Sequence, residues 1–303
     1  MFLVVGESLV DVVERPDGTR NEHAGGSPMN VAVGLGRAGL DVTLATTLAG
    51  DAYGELIRWH LAESRVKVLA SASERTSSAV ATLDEHGAAS YVFDVSWDPG
   101  PIEPGEIPAA VHTGSIATVL EPGAGEVEAL IRRLHPTSIV TFDPNVRPSM
   151  TPDRAAATAR TEQLVPLADV VKASDEDLSW LYPDESLDVV AERWLTSGAS
   201  LVVVTRGGEG SIAWARSGRV EVPLSPVVVV DSVGAGDAYM SGLIVGLHLE
   251  GLLDANDRDR LRQIDAGTVH RLTTMAARSA AIVVGRAGAE PPWRTELLSH
   301  SVK

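Results

Sequence analysis

The sequence predicts an α/β fold with a mostly parallel central sheet. Residues 2–5 form an unbroken apolar run that ends at Gly6, which is typical of a strand buried on both faces. A glycine turn then leads into a predicted helix within residues 23–40, and residues 42–48 form the next strand. A second helix follows from Asp51, its predicted N-cap. Strands and helices that alternate in this order are typical of a parallel sheet covered by helices.

Composition excludes several classes of protein. The chain has 303 residues, of which 44% are hydrophobic and 22% charged, enough for a substantial core. Its net charge of −16 argues against nucleic acid or an anionic membrane as a partner, because both attract basic surfaces. Without cysteines, it has no disulfides or thiolate metal sites. The N-terminal MFLVVGE lacks a basic segment, and no stretch approaches the ~20 apolar residues of a membrane span, so we expect a cytoplasmic protein.

Residues 77–95 depart from the alternation of strands and helices. They form two strand-like runs around a turn that contains His86 and Gly87, which predicts a β-hairpin. Together with residues 12–24, this hairpin is expected to form a small sheet projecting from the main domain. Such a sheet could cover a binding site as a lid, and its other face could equally contact a second copy of the chain.

The stretch 226–246, PVVVVDSVGAGDAYMSGLIVG, predicts an anion-binding site. We interpret residues 227–230 as a short buried strand, followed by a glycine turn and an apolar helix. The first amides of a helix have no intrahelical partners and point towards a ligand at the positive end of the dipole. Asp237 falls in the first turn, where it could act on a substrate hydroxyl beside a phosphate. On these residues alone, an equally good interpretation is that Asp231 and Ser232 cap the helix and Asp237 complements its dipole.

Further polar residues follow predicted strands or open predicted helices. Asp11 lies just beyond the first strand, where α/β sheets bind ligands, although a turn or cap carboxylate explains it as well. Gly25 and Gly26 lead into a helix whose first turn holds Asn30, which could bind a hydroxylated ligand or local backbone. Arg147, beyond a later strand, is either an anion contact or part of a surface salt bridge.

Metal binding has few candidates in the sequence. Ser174 opens an acidic helix start with a capping-box pattern. The acids there could contact magnesium through water, although complementing the helix dipole is the simpler explanation. The eight histidines show no HxxxH-type spacing, so we expect no protein-bound transition metal.

The motifs taken together resemble the ribokinase-like (PfkB) family of carbohydrate and nucleoside kinases. Three match in order, namely GGSPMNVAVGLGRAG at 25–39, VVTRGGEGS at 203–211 and DSVGAGDAYMSGLI at 231–244. The resemblance covers essentially the whole chain. It implies a single domain over residues 1–303, with a three-layer α/β/α ribokinase-like fold and a small β-sheet lid formed by about residues 12–24 and 77–97.

The resemblance also implies roles for individual residues. The catalytic base would be Asp237, and the anion hole for the transferred phosphoryl group would be Gly234, Ala235 and Gly236. The sugar would contact Asp11, Gly25, Gly26, Asn30 and Arg147. ATP would bind at Lys172, Ser174, Thr205, Gly207 and Gly210. Mg²⁺ would be reached through water from Asp177, and K⁺ would be bound by backbone at Asp231, Val233 and Gly288.

Two positions depart from the family pattern. Ser232 and Val233 replace the usual Thr-Thr or similar pair, a mild change because mainly backbone acts there. The family's NxxE motif falls on Ser174 and Asp177, so an aspartate, one methylene shorter, replaces the glutamate. This replacement is expected to alter the water-mediated contact with the metal.

The resemblance predicts ATP-dependent phosphorylation of a sugar hydroxyl, in a homodimer formed through the lid. VKASDEDL, DPNVRP and HTGSIATVLEPG are similar to the fructokinase and 2-keto-3-deoxygluconate kinase branches, so fructose is the first expected acceptor. The alternatives are 2-keto-3-deoxygluconate, a nucleoside, or a homologue that binds both ligands without catalysis. A dinucleotide-dependent oxidoreductase is disfavoured because GESLVD, and not GxGxxG, follows the first strand.

Overall fold

The computed structural model describes residues 1–83, 89–151, 153–224 and 227–299. Within these ranges the strands are β1 (Phe2–Val5), β2 (Leu9–Glu14), β3 (Arg20–Gly25), β4 (Val42–Leu48), β5 (Val66–Ala72), β6 (Ser78–Leu83), β7 (Ala89–Asp94), β8 (Ala110–Gly114), β9 (Ile139–Asp143), β10 (Val170–Ser174), β11 (Leu201–Thr205), β12 (Ser211–Ala215) and β13 (Gly218–Val222). The helices are α1 (Ser27–Arg37), α2 (Ala52–Glu63), α3 (Gly123–Leu134), α4 (Arg154–Leu164), α5 (Asp175–Leu181), α6 (Leu187–Ser197), α7 (Ala235–Leu249), α8 (Arg258–Arg262), α9 (Ala266–Val284) and α10 (Arg294–Leu298).

The central sheet confirms the predicted parallel arrangement. Among the described residues, nine strands form it in the order β13-β12-β11-β10-β9-β8-β1-β4-β5. Neighbouring strands are parallel except where β12 pairs with β11 and β13. The chain builds outward from β1 to β5 on one side, then returns to β8 and builds towards β13 on the other. Ligands of such sheets bind beyond the carboxyl ends of the strands, near the reversal.

Helices cover both faces of this sheet. Phe2 and Val4 belong to one apolar core, which also contains residues of α1, α2, α7 and α9. Leu3 and Val5 belong to a second core, shared with α3, α4, α5 and α6. Successive residues of β1 therefore pack against opposite helical layers, as the period of a strand requires. The result is the predicted three-layer α/β/α fold. In the parts of the chain that the structure describes, no helix is both long and apolar enough to cross a membrane.

A separate four-stranded sheet forms from the strands around residues 12–24 and 77–97. Its order is β3-β2-β6-β7, with β2 parallel to β6 and the other pairs antiparallel. Val10 and Val12 anchor it to the core shared with α1 and α2. The predicted turn residues His86 and Gly87 lie outside the described residues. Since β2 already begins at Leu9, Asp11 lies within a strand of the small sheet and not in a turn or cap.

The valine run is not the buried strand that the sequence suggested. Residues 227–230 form no strand, and Val228, Val229 and Val230 are 83%, 62% and 61% exposed. The Val230 amide donates to the carbonyl of Val284 at the end of α9, so the run lies beside that helix and outside the sheet. An apolar run has the same sequence pattern whether it fills a core or follows the surface beside a cavity.

Candidate active site

A cavity of about 570 Å³ opens beyond the carboxyl ends of the central strands. Residues of β10, the start of α7, and the loops after β9 and β11 contribute to its lining. Of the residues singled out by sequence, it is lined by Arg147, Lys172, Ser174, Asp177, Thr205, Gly207, Gly210, Ala235 and Gly236. The fold thus brings most of the predicted nucleotide and phosphoryl residues to one cavity, here called the central cavity.

The N-terminus of α7 presents free backbone amides to this cavity. Gly234 is its N-cap with φ 76°, a left-handed conformation, and no side chain of a described residue caps the helix. A Cβ at Gly234 would lie 2.5 Å from the Cβ of Ala289, so the position also lacks room for a side chain. The side chains of Asp231 and Ser232 therefore do not cap α7. The Ala235 amide donates to the backbone carbonyl of Ser232 at 3.3 Å, and the next amides of the first turn are left to bind an anion.

The carboxylate of Asp237 lies in the first turn of α7 and is 6% exposed. Ser27 Oγ donates to Asp237 Oδ1 at 2.7 Å, and Asn30 Nδ2 donates to Oδ2 at 2.8 Å. Asn145 Nδ2 lies 3.4 Å from Oδ1. These donors hold the carboxylate in one orientation. A carboxylate so placed can accept a proton from a hydroxyl group bound beside the amides of α7.

Ser27 and Asn145 were not among the predicted site residues. Ser27 is the first residue of α1, between the predicted Gly26 and Asn30, and its place in GGSPMN is a signal that sequence analysis could have used. Asn145 lies in DPNVRP with φ 39°, an uncommon conformation for a residue other than glycine. Its contact with Ser27 spans 118 positions of sequence, so only the fold reveals it.

Asp11 faces the site from the small sheet. A Cβ at Gly25 would lie 2.3 Å from Asp11 Oδ2, so the two positions are in close contact. Burial raises the pKa of Asp11, and the charge of Asp237 adds to this rise, while His23 and Arg147 oppose it. At Gly26, φ is 111°, and a Cβ would lie 2.7 Å from the carbonyl oxygen of Glu7. Asp11 therefore lies within electrostatic range of both Asp237 and Arg147, while Asn30 hydrogen-bonds to Asp237.

Arg147 is exposed, and its guanidinium is directed by Asn145. Arg147 Nη1 donates to Asn145 Oδ1 at 2.6 Å and to the carbonyl oxygens of Asn145 and Val146 at 3.3 and 3.1 Å. Among the residues that the structure describes, no carboxylate lies within ion-pair distance of it, so it forms no surface salt bridge there. Its guanidinium is therefore available to a polar or anionic ligand.

Lys172 and Asp143 form a buried ion pair below the start of α7. Lys172 Nζ lies 2.9 Å from Asp143 Oδ2, and a Cβ at Gly236 would lie 3.0 Å from Nζ. Burial raises the pKa of Asp143 to about 6, and the charge of Lys172 limits the rise. Burial disfavours the charged form of Lys172, but Asp143 and Asp177 outweigh this and raise its pKa. The ammonium is charged at neutral pH, directly beneath the predicted anion hole.

Ser174 and Asp177 form the predicted capping box of α5. Ser174 Oγ accepts from the Asp177 amide at 3.0 Å, and Asp177 Oδ2 accepts from the Ser174 amide at 2.8 Å. Asp177 Oδ1 accepts from the amide of Val146 at 2.8 Å. Oδ1 therefore holds the loop after β9 against α5, while Oδ2 closes the N-terminal cap of α5.

The donor set near the cavity fits a magnesium ion carried by a ligand. Asp143 Oδ1 is buried and has no hydrogen-bond partner in the part of the chain that the structure describes, and Asp177 is its electrostatic neighbour. Within the described ranges, no group of three His, Cys, Asp or Glu residues could hold a metal alone. Mg²⁺ commonly keeps several waters and binds through one or two carboxylates together with substrate phosphates.

Asp231, Val233 and Gly288, predicted to surround a monovalent cation, are brought together. Asp231 Oδ1 accepts from the amide of Val233 at 3.0 Å, and Oδ2 accepts from that of Gly288 at 2.9 Å. These backbone bonds lower the pKa of Asp231 and keep it ionised. The carboxylate therefore ties the loop before α7 to the loop after α9.

The lining of the central cavity combines apolar side chains with exposed backbone. The apolar residues are Leu224, Val229, Ala277, Ala280 and Val284. Thr205 and the glycines of the turn after β11 belong to the same lining, as do Ala235 and Gly236 at the start of α7. A cavity lined in this way fits a ligand with a flat ring and an anionic tail.

Comparisons with known proteins agree with this geometry. The family model described as pfkB family carbohydrate kinase matches residues 1–296. A fructokinase of Rhizobium leguminosarum bv. trifolii is 35% identical over 269 residues, which cover 84% of this chain and 81% of the relative.

Solved structures share the whole fold. A fructokinase of Xylella fastidiosa with bound ATP superimposes with a TM-score of 0.88 at 26% identity, covering 98% of this chain and 97% of that one. A fructokinase double mutant of Vibrio cholerae O395, bound to fructose, ADP and potassium ion, has a TM-score of 0.80 at 25% identity, with 98% and 94% covered. The chain therefore belongs to the pfkB family of carbohydrate kinases, and its activity is that of a sugar kinase.

Proposed function

We propose that this protein transfers the γ-phosphoryl group of ATP to a hydroxyl of fructose. The observation that carries this proposal is the position of Asp237, a buried carboxylate in the first turn of α7, beside uncapped amides that open into the central cavity. The named relatives and structures, several of them fructokinases, support fructose as the acceptor.

In the proposed reaction, Asp237 accepts the proton of the attacking sugar hydroxyl. The hydroxyl oxygen forms a bond to the γ-phosphorus as the bond to the bridging oxygen of ADP breaks, so the products are a sugar phosphate and ADP. The amides of Gly234, Ala235 and Gly236 stabilise the charge on the transferred group. Positioning and charge stabilisation supply most of the catalysis in such a transfer.

We place ATP in the central cavity. Lys172 and Ser174 would lie towards its phosphates, and Thr205, Gly207 and Gly210 line the same cavity. Mg²⁺ would neutralise charge on the phosphates, with Asp177 reaching it through water and Asp143 Oδ1 nearby. K⁺ would bind at the loops that Asp231 joins, through backbone at Val233 and Gly288.

We place the sugar between the small sheet and Asp237, in contact with Asp11, Gly25, Gly26, Asn30 and Arg147. In this proposal the chain is one domain, its small sheet closes over the sugar as a lid, and two copies pair through that lid in the cytoplasm. Val92 on β7 is 65% exposed, which supports such a contact.

Arg147 supports 2-keto-3-deoxygluconate as a second candidate acceptor. Its guanidinium has no carboxylate partner among the described residues, and a sugar acid would supply one. Fructose has no such group. Arg147→Ala should therefore impair a sugar acid far more than fructose.

A coupled assay of ADP release tests the proposal. Fructose, 2-keto-3-deoxygluconate, ribose and a nucleoside are compared as acceptors with Mg²⁺, in K⁺ and in Na⁺ buffer. We expect the highest kcat/KM with fructose and faster turnover in K⁺. A higher kcat/KM with the sugar acid would favour the second candidate, and no ADP release with any acceptor would contradict kinase activity.

A further inference from the structure

Four polar side chains form a directed hydrogen-bond chain that ends at Asp237. Arg147 Nη1 donates to Asn145 Oδ1 at 2.6 Å, and Asn145 Nδ2 donates to Ser27 Oγ at 2.6 Å. Ser27 Oγ in turn donates to Asp237 Oδ1 at 2.7 Å. These residues come from the loop after β9 and from the first turns of α1 and α7.

Arg147 fixes the direction of every bond in this chain. A guanidinium only donates, so the amide of Asn145 must turn its oxygen towards Arg147 and its NH₂ group towards Ser27. The hydroxyl of Ser27 accepts that bond, and its single proton is therefore directed to Asp237. Reversing any one bond would place two donors or two acceptors face to face.

The two carboxylate oxygens of Asp237 are consequently unequal. Oδ1 faces Ser27 at 2.7 Å and Asn145 at 3.4 Å, whereas Oδ2 has a donor from Asn30 at 2.8 Å. Oδ1 is the more fully occupied oxygen, and Oδ2 keeps more capacity for a further proton.

We propose that Ser27 and Asn145 are positioning residues for phosphoryl transfer, which connect Arg147 to Asp237 Oδ1 and leave Oδ2 to accept the proton of the sugar. This inference rests on the proposed function. It gives Arg147 a second role beside contact with the sugar, because its charge polarises the donors that reach the base.

Other charged groups also face Asp237. Asp11 approaches from β2 and Asp143 from β9, and the charge of Asp237 raises the pKa of both carboxyls. The same charge raises the pKa of Lys172 on β10. Because these groups stay in place when Ser27 is changed, the variant differs at Asp237 only by the lost Ser27 donor, and such donors favour the charged form of a carboxylate.

The first test is the pH profile of kcat/KM for fructose in Ser27→Ala and in Asn145→Gly. Glycine accepts the backbone of position 145, so that variant removes the side chain without adding strain. We expect the acid limb to move to higher pH by about one unit in each variant, which lowers kcat/KM about tenfold at pH values on that limb. The KM for ATP should stay within about twofold, and Ser27→Thr, which keeps the hydroxyl, should retain the original limb.

The second test is a double-mutant cycle. Asn145 reaches Asp237 mainly through the Ser27 hydroxyl, because its own distance to Oδ1 is 3.4 Å. Ser27→Ala combined with Asn145→Gly should therefore shift the limb by clearly less than the sum of the two single shifts. Ser241→Ala is the matched control. Ser241 lies on α7 and is buried, as Ser27 is on α1, but its Oγ donates to the carbonyl of Ala238 at 3.0 Å. Its loss should therefore leave the acid limb unchanged.

An unmoved acid limb in the folded variants, or additive shifts in the cycle, would overturn the inference while leaving the kinase activity of the wild type intact. If Ser27→Ala does not fold, the position of the acid limb in Asn145→Gly alone tests the inference. Absence of phosphorylation in the wild type would instead remove the proposed function, and this inference with it.

Discussion

Lys172 Nζ lies 2.9 Å from Asp143 Oδ2, and the two side chains are only 2% and 1% exposed. The pair connects neighbouring strands β9 and β10 directly beneath the N-terminus of α7. Neither charge could be buried there alone without a large cost in solvation.

Replacing one partner of this pair should therefore destabilise the fold more than replacing both. Lys172→Met leaves Asp143 as a buried carboxylate without its counter-ion and should lower the free energy of unfolding by about 3–5 kcal/mol. Adding Asp143→Asn should recover part of that loss, which urea denaturation measures. A loss in the double variant equal to the sum of the losses in Lys172→Met and Asp143→Asn would show that the two charges are not coupled. If Lys172 also contacts the nucleotide, both Lys172 variants should show a raised KM for ATP.

Glu7 should make stability depend on pH. Burial raises its pKa to about 7 from 4.5, although hydrogen bonds from Ser115 and Ala117 oppose the rise. The folded state therefore keeps a proton that the unfolded chain releases between these values. The contribution to stability is fully present below pH 4.5 and is lost as the pH rises through about 7.

Glu7→Gln removes this ionisation but keeps an oxygen that can accept from Ala117. Between pH 5 and 8, the wild type should lose stability relative to the variant, by on the order of 3 kcal/mol in total. Urea denaturation at several pH values checks this. The exposed Glu74→Gln serves as control, and parallel curves for wild type and Glu7→Gln would contradict the prediction.

Gly234 should be essential for the anion site. Gly234→Ala meets both the left-handed φ of 76° and the Cβ of Ala289 at 2.5 Å, so the first amides of α7 must shift. We expect kcat to fall about 10²-fold, as when one oxyanion donor is lost, and stability to fall by at least about 1 kcal/mol. Gly105→Ala is the matched control, because its φ is 80° and nothing lies within 4 Å of the added Cβ. A similar kcat in both variants would refute the role of this turn.

The sequence predicted the fold well because its signals are local. The alternation of strands and helices indicated the parallel sheet, and the change of pattern at residues 77–95 indicated the small sheet. The prediction that the valines before Asp231 form a buried strand was wrong, and the reason is physical. Burial depends on what lies beside a segment, and here the neighbours are the end of α9 and the central cavity.

The candidate site was predictable where one short motif contains both the turn and the functional side chain. Gly234 and Asp237 lie within four positions of each other, and the glycine turn marks them. Ser27, Asn145 and the pairing of Lys172 with Asp143 were not found, because these contacts join elements that are distant in sequence. Their partners become visible only once β9, β10, α1 and α7 are assembled.

The central claim, that Asp237 is the base of a sugar kinase, is tested most directly by Asp237→Asn. The amide keeps the size of the side chain but cannot accept the proton of the sugar hydroxyl. We predict a fall in fructose phosphorylation of ~10²-fold or more, measured by coupled ADP release. ATP binding, measured by calorimetry, and the folded state should be retained. Near-normal turnover in this variant would contradict the assignment of Asp237 as the base.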